Sequence, residues 1–189
     1  MNPSYFTWPP QFTKKEIQKI NKFFSENYSD IENEESAAHS RDGVKLKHDS
    51  VTKLIRWKTI KPYLKEVYGY ANYILTHDFG FLTYPYPDDK FVNHTTYTSK
   101  SKDCYRWHLD QSGAKDKYDI KGTLLINVSE ETYTGGKLKV FHQGNVTIEE
   151  FSKPGSMVLF HGFINHEVTP ITKGTRKTIA MFIGGPTWR

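Results

Sequence analysis

The chain contains 189 residues, of which 37% are hydrophobic and 15% are aromatic, and its formal net charge is +5. That length and apolar content predict one domain with a buried core, and the aromatic share favours a β-rich fold, because aromatic side chains pack well on pleated sheets. The basic residues are scattered along the chain, a pattern typical of a solvated surface, which disfavours a nucleic-acid groove.

The first predicted element is a helix from Thr13 to about Asn27. Thr13 and Glu16 form a capping box, in which each side chain accepts a hydrogen bond from a free N–H at the start of the helix. One apolar face of the helix is formed by Ile17, Ile20 and Phe24. Residues 28–50 are polar and acidic, so they predict a mobile surface loop, and whether that loop orders over a substrate is left open.

A second helix is predicted from about Lys61 to Leu75, with Pro62 in its first turn, where a missing N–H breaks no hydrogen bond of the helix. Its buried side is expected to carry Tyr63, Leu64, Val67, Tyr70, Ala71 and Ile74. Together, the two helices are expected to support one face of a sheet.

From residue 79 onward the apolar pattern changes to short strands separated by turn residues. The candidate strands are 79–84, 91–98, 103–110, 121–129, 137–142, 145–149, 156–161, 165–169 and 176–183. A series of about eight short antiparallel strands is typical of a double-stranded β-helix, the cupin-like jelly roll. We therefore expect one mostly β domain over residues 1–189, with helical support and the mobile loop in 1–78 and the jelly-roll core in 79–189.

A candidate metal site lies in the segment that contains His108 and Asp110. If this segment is a strand, residues two apart face the same way, so an imidazole and a carboxylate project together. His166, 56 residues after Asp110, is placed to supply a second imidazole from a neighbouring strand. Two neutral nitrogens and one carboxylate, with open positions opposite, form the ligand set of non-haem Fe(II) oxygenases.

Arg176 stands ten residues beyond His166, where its planar guanidinium is suited to clamp the far carboxylate of a dicarboxylic acid. The motifs here resemble the 2-oxoglutarate- and Fe(II)-dependent oxygenases, specifically the prolyl 4-hydroxylase-like branch, which includes small bacterial and phage proteins. The similarity runs from about Phe81 to the C-terminus. The matching motifs are Tyr97, His108-Leu109-Asp110, Gly135-Gly136-Lys137-Leu138, the segment from Lys153 to Phe160, and the segment from His166 to Arg176.

The metal ligands that this resemblance implies are His108, Asp110 and His166. It also implies that Arg176 binds the C5 carboxylate of 2-oxoglutarate, and Tyr97 resembles the tyrosine that hydrogen-bonds the same carboxylate. His161 competes for the role of the distal ligand, but His166 is preferred because it has the expected spacing to Arg176.

Three more residues are expected at the cosubstrate pocket. Asn127 alternates with Leu125 on a predicted strand and is expected to present its amide near 2-oxoglutarate. Leu138 follows the paired glycines and is expected to form a wall of the pocket. Thr178, two residues beyond Arg176, shares its face and is expected to add a hydroxyl to the clamp.

The implied activity is hydroxylation of a protein or peptide side chain, with proline as the expected target. It uses Fe(II), oxygen and 2-oxoglutarate and releases succinate and carbon dioxide, with ascorbate as a candidate reductant. Two alternatives stay open: an oxygenase that acts on a nucleic acid or a small molecule, and a non-catalytic jelly-roll binding module, which the complete set of site residues disfavours. The sequence indicates neither the hydroxylated carbon nor the oligomeric state.

The expected setting is the cytoplasm of a bacterium or of a phage-infected host cell. The N-terminus lacks a basic region followed by an apolar one, so no signal peptide is predicted. No run of about 18 apolar residues is present, so no membrane partner is expected. Cys104 is the single cysteine, which excludes an internal disulfide and fits a reducing compartment.

Overall fold

The computed structural model describes residues 4–28, 46–48, 50–110 and 117–187. Within them the chain forms two α-helices, α1 (Lys14–Asn27) and α2 (Trp57–His77), and a short 3₁₀ helix, Glu149–Ser152. The strands are β1 (Tyr5–Trp8), β2 (Lys47–His48), β3 (Val51–Arg56), β4 (Phe91–Thr98), β5 (Cys104–His108), β6 (Asp119–Asn127), β7 (Thr134–Gly135), β8 (Leu138–Phe141), β9 (Asn145–Thr147), β10 (Met157–His161), β11 (His166–Val168), β12 (Ile171–Lys173) and β13 (Thr175–Gly185). Most of the loop predicted at 28–50 lies outside the described residues, and its described part contains β2.

Helix α1 has the predicted boundaries and cap. The Thr13 hydroxyl accepts a hydrogen bond from the Glu16 N–H at 3.3 Å, and the Glu16 carboxylate accepts one from the Thr13 N–H at 2.8 Å. The capping box is therefore confirmed, and two N–H groups that have no partner within the helix are satisfied. The predicted apolar face is buried, with Ile17, Ile20 and Phe24 all in the core.

Helix α2 begins at Trp57, four residues before the predicted start. Its first two N–H groups, those of Trp57 and Lys58, donate to the carbonyls of Lys90 and Asp88 at 2.8 and 3.0 Å. This neighbouring turn satisfies the start of the helix in place of a side-chain cap. Pro62 consequently lies in the second turn of the helix, and the prediction that it occupies the first turn is wrong.

The buried face of α2 is also rotated slightly from the predicted one. It is formed by Trp57, Ile60, Leu64, Val67, Ala71 and Leu75. Tyr70, predicted to be buried, is 46% exposed. The buried face of the helix is centred on Leu64 and Ala71, and Tyr70 lies outside it on the side that faces solvent. Neither helix of the described residues is long and apolar enough to cross a membrane.

Two antiparallel sheets position the candidate site. The larger has six strands in the order β1-β10-β6-β13-β4-β3, and the smaller has five strands in the order β2-β5-β11-β8-β9. Strands β12 and β7 form a separate pair. The predicted mostly β jelly roll with two supporting helices is confirmed.

Strand alternation divides the apolar side chains of the larger sheet between two cores. The core shared with the helices includes Leu124, Ile126, Ile179 and Met181. The inner core, which the larger sheet shares with the smaller one, includes Leu125, Val140, Phe160 and Val168. Residues of β4, β6 and β13 that face the inner core therefore also face the predicted metal ligands.

The predicted strand at residues 79–84 is wrong, because this segment is irregular in the structure. Gly80 has a φ of +72°, which interrupts an extended run, and the Phe81 N–H donates to the Leu75 carbonyl at 2.8 Å. Five strands were not predicted: β1, β2, β3, β7 and β12. Strands β1 and β3 form the edges of the larger sheet, so the residues before 78 contribute to the jelly roll as well as to its helical support.

Candidate metal centre and adjoining cavity

The three predicted metal ligands converge between strands β5 and β11. His108 ends β5 and is the register partner of His166, which begins β11. Asp110 lies just beyond β5, with its carboxylate oxygens 3.7 Å from His108 Nε2 and 3.5 Å from His166 Nε2. The potential ligand atoms all lie within 4.8 Å of one another. This spacing is compatible with a single ion held between them.

Both imidazoles are oriented by the backbone. His108 Nδ1 lies 2.7 Å from the carbonyl oxygen of Arg106, and His166 Nδ1 lies 3.1 Å from that of Ile164. A carbonyl oxygen only accepts hydrogen bonds, so each Nδ1 carries the proton and each Nε2 keeps its lone pair. Both lone pairs are therefore available on the nitrogens that face Asp110.

The electrostatics of the cluster favour neutral histidines. Burial lowers the pKa of His108 to about 4, with the neighbouring His166 adding to the effect, and burial also lowers the pKa of His166 to about 4. Burial raises the pKa of Asp110, while His108 and a hydrogen bond of 2.7 Å from the Thr123 hydroxyl act in the opposite direction. A divalent cation would stabilise the carboxylate further, and this donor set suits Fe(II).

His161, the competing histidine, lies on the other face of β10. Its neighbour Phe160 points into the inner core and packs against His166, with ring centroids 4.6 Å apart. Strand alternation sends His161 the opposite way, where it stacks on Phe163 at 4.0 Å and contacts Phe79. The structure brings His166 into the cluster and leaves His161 out of it.

A cavity of about 270 Å³ adjoins the three residues. One of its walls is formed by alternate residues of β4 and β13, namely Asn93, Thr95, Tyr97, Arg176, Thr178 and Ala180. Leu125, Val168 and Phe182 supply apolar surface. Tyr105 also lines the cavity and stacks on the His108 ring, with centroids 3.5 Å apart.

Arg176 is 1% exposed, yet its Nε and Nη2 atoms have no hydrogen-bond partner. Its guanidinium carbon lies 5.2 Å from the ring centroid of Tyr97 and 5.5 Å from that of Phe151. Burial raises the pKa of Tyr97 to about 12, an effect that Arg176 opposes, so the phenol stays protonated. The Thr178 hydroxyl is buried without a partner as well. Buried donors of this kind call for an acceptor, and the Nε–Nη2 edge fits a carboxylate.

The paired glycines allow the chain to pass close to this arginine. Gly135 and Gly136 have φ values of +76° and +57°, and a Cβ atom on Gly136 would lie 2.2 Å from Ile171 Cδ1 and 3.1 Å from Arg176 Cδ. Both glycines therefore serve the turn before β8, and Gly136 also allows the close approach of Arg176. Leu138, by contrast, is buried in the inner core beyond the cavity wall, so its predicted position at the pocket is corrected.

The predicted position of the Asn127 amide near 2-oxoglutarate is also corrected. Its amide nitrogen donates to the Phe151 carbonyl at 2.8 Å and to the Tyr133 hydroxyl at 3.1 Å, and its oxygen accepts from the Ser129 N–H at 3.1 Å. A fully buried amide with all these partners fixes the neighbouring chain segments. Asn127 does not line the cavity.

Sequence reasoning missed Lys47, Thr95 and Thr123 near the site. Thr95 alternates with Tyr97 on β4, so strand periodicity was a signal that could have identified it. The Thr123 hydroxyl donates a hydrogen bond to the Asp110 carboxylate, although the two residues are 13 positions apart in the sequence. Lys47 lies in a segment that was predicted to be a loop. Neither residue has a local pattern that marks it.

Comparison with known proteins adds to this geometry. Residues 92–184, which include all three ligand candidates and Arg176, match the model of the 2OG-Fe(II) oxygenase superfamily. The resemblance to that superfamily is thereby confirmed. The chain is 31% identical over 86 residues to a PKHD-type hydroxylase from Synechococcus sp. strain CC9605. That match spans 44% of this chain and 38% of the hydroxylase's length.

Two solved structures share the fold over most of the chain. One is a viral collagen prolyl hydroxylase from Paramecium bursaria Chlorella virus 1 in a 2OG complex, with a TM-score of 0.67 and 15% identity, covering 97% of each chain. The other is a prolyl hydroxylase from Trichoplax adhaerens bound to a peptide fragment of the oxygen degradation domain of hypoxia-inducible factor. Its TM-score is 0.64 at 14% identity, over 95% of this chain and 83% of that one. At these identities the likeness establishes the fold.

Proposed function

We propose that the protein is an Fe(II)- and 2-oxoglutarate-dependent dioxygenase. In this proposal His108, Asp110 and His166 hold the iron, and Arg176 binds the C5 carboxylate of 2-oxoglutarate with Thr178 beside it. The supporting observation is that one cavity is lined both by three converging metal donors and by a buried guanidinium whose Nε–Nη2 edge has no partner. A metal site alone, or an arginine alone, would not select this reaction class.

Each residue has a specific task in this reaction. Bound Fe(II) would supply the redox chemistry by which oxygen and 2-oxoglutarate yield succinate, carbon dioxide and a hydroxylated product. The Arg106 and Ile164 carbonyls keep both imidazoles oriented towards the metal, and Thr123 keeps the Asp110 carboxylate in place. Apolar residues of the cavity wall exclude water, which strengthens every electrostatic contact within it.

We propose a protein or peptide side chain as the substrate, with proline as the target residue. Support comes from the fold, which this chain shares with two prolyl hydroxylases, one of them solved with a peptide. A shared fold does not by itself select a substrate, so this part of the proposal depends on direct measurement.

The decisive experiment follows succinate formation from 2-oxoglutarate by the purified protein. Turnover should require added Fe(II), stop on chelation, and disappear in His108→Ala and Asp110→Ala.

Mass spectrometry of host-cell proteins incubated with the active protein or with Asp110→Ala should then reveal a peptide that gains one oxygen atom on proline. A gain of oxygen confined to nucleic acids or metabolites would refute the protein substrate while keeping the oxygenase. An absence of iron-dependent succinate with every such fraction would refute the enzyme.

A further inference from the structure

A second cation lines the cavity beside Arg176. Lys47 belongs to β2, the outermost strand of the smaller sheet, where it is the register partner of Tyr105. Its side chain is half-buried, and its ammonium group donates a hydrogen bond to the hydroxyl of Thr52 on β3, at the edge of the larger sheet. Lys47 therefore joins the two sheets at one side of the cavity.

Among the described residues, the groups next to the Lys47 ammonium on the larger sheet are uncharged hydroxyls. The Thr52 hydroxyl lies 3.0 Å from that of Thr95, and Thr95 is the register partner of Thr178. These three threonines form a row across β3, β4 and β13, and the hydroxyl of Thr178 is buried without a partner. The ammonium group has three donors, and the Thr52 hydroxyl occupies one of them.

Among the residues that the structure describes, the charges that line the cavity do not balance without a further anion. Asp110 is the single carboxylate among the described residues that line it. With Fe(II) and doubly charged 2-oxoglutarate bound, the positive charges of the metal, Arg176 and Lys47 exceed the negative charges by one. Burial lowers the pKa of Lys47 to about 8, so the group is still mostly protonated at neutral pH. Charges removed from water are normally paired, so this excess calls for a partner.

We propose that Lys47 is a second carboxylate-binding group of the cavity, supported by the Thr52–Thr95–Thr178 row. This inference rests on the proposed function, because it assumes that 2-oxoglutarate occupies the Arg176 side. The carboxylate has two possible sources, the primary substrate and the keto-acid end of 2-oxoglutarate. The charge count favours the substrate, which would then present an acid group near the carbon that reacts.

Binding to the Mn(II)-loaded protein separates these sources without turnover. Calorimetry would measure 2-oxoglutarate first. It would then measure N-acetyl-L-proline and its neutral analogue N-acetyl-L-prolinamide in the presence of saturating 2-oxoglutarate. If the substrate supplies the carboxylate, wild-type protein should bind the acid more tightly than the amide. Lys47→Met should weaken the acid roughly 10- to 100-fold and abolish that preference. If 2-oxoglutarate supplies it, Lys47→Met should weaken 2-oxoglutarate by a similar factor.

Two variants control for charge and for the fold. Lys53→Met makes the same change in net charge on β3, but Lys53 lies with its ammonium over the Tyr28 ring at 4.4 Å and outside the cavity wall, so binding should be unchanged. Lys47→Arg keeps the cation and should retain most of the affinity. The proposal is overturned if wild-type protein does not prefer the acid and Lys47→Met binds 2-oxoglutarate normally. A wild-type protein that binds Mn(II) but no 2-oxoglutarate would instead refute the proposed function itself.

Discussion

Arg176 offers the sharpest test of the cosubstrate assignment. Replacement by Met keeps most of the side-chain volume while removing the guanidinium edge formed by Nε and Nη2, both of which lack partners. If that edge binds a carboxylate in a buried site, its loss should cost roughly 2–5 kcal/mol of binding free energy. This corresponds to roughly 30-fold to a few thousand-fold in the dissociation constant for 2-oxoglutarate.

The assay is calorimetric titration of 2-oxoglutarate into Mn(II)-loaded protein, with Mn(II) affinity measured separately. Arg176→Met should bind Mn(II) normally, because no ligand is changed, and Arg176→Lys should show an intermediate affinity for 2-oxoglutarate, because it keeps the charge and loses the planar fork. Lys177→Met is the matched control. Lys177 points to the opposite face of β13 and pairs with Glu130 at 2.6 Å, so 2-oxoglutarate binding should be unaffected.

The stability of Arg176→Met gives an independent check. Among the described residues no carboxylate lies within ion-pair distance of this guanidinium, so the ligand-free protein holds a buried cation without a counter-ion. Its replacement by an apolar side chain of similar size should leave the free energy of unfolding unchanged or higher in urea titrations. Unaltered 2-oxoglutarate affinity in a folded Arg176→Met protein would refute the assignment.

Three further predictions concern the metal ligands and buried histidines. Mn(II) binding should be lost in His166→Ala and retained in His161→Ala, and the reverse result would reassign the distal ligand. Thr123→Val removes the hydrogen bond to Asp110 and should weaken Mn(II) binding roughly 10- to 100-fold, with unchanged affinity arguing against a positioning role for that hydroxyl. His94 is buried, and its pKa is lowered to about 4 by burial and by nearby Lys177. Its folded-state pKa lies below its ordinary value of 6.5, so the stability that the neutral ring contributes is present above about pH 6.5 and is lost as the pH falls towards 4, by roughly 3 kcal/mol in total. Urea unfolding of the metal-free protein at pH 7.5 and 4.5 should therefore show a smaller pH dependence in His94→Gln than in wild type, and equal dependence would contradict the reasoning.

The sequence by itself determined the features that depend on local physics. Helix α1 and its cap follow from residues within one helical turn of each other, so Thr13 and Glu16 were sufficient to locate its start. The long strands β4, β6 and β13 followed from apolar alternation between turn residues, and these strands carry most of the cavity wall. The order and spacing of His108, Asp110, His166 and Arg176 also identified the four residues that the structure places around one cavity.

Only the tertiary structure decided which residues that are distant in sequence lie close together in space. Lys47 reaches the cavity because β2 pairs with β5, and Thr123 meets Asp110 because β6 lies across from the end of β5. Asn127 lies on the strand face that alternation predicted. Its amide, however, forms hydrogen bonds with nearby backbone and side-chain groups and is not available to a ligand. Sequence periodicity predicts on which face of a strand a side chain lies. Which groups meet that face depends on strand pairing between distant segments, and this pairing is fixed by the packing of the whole domain.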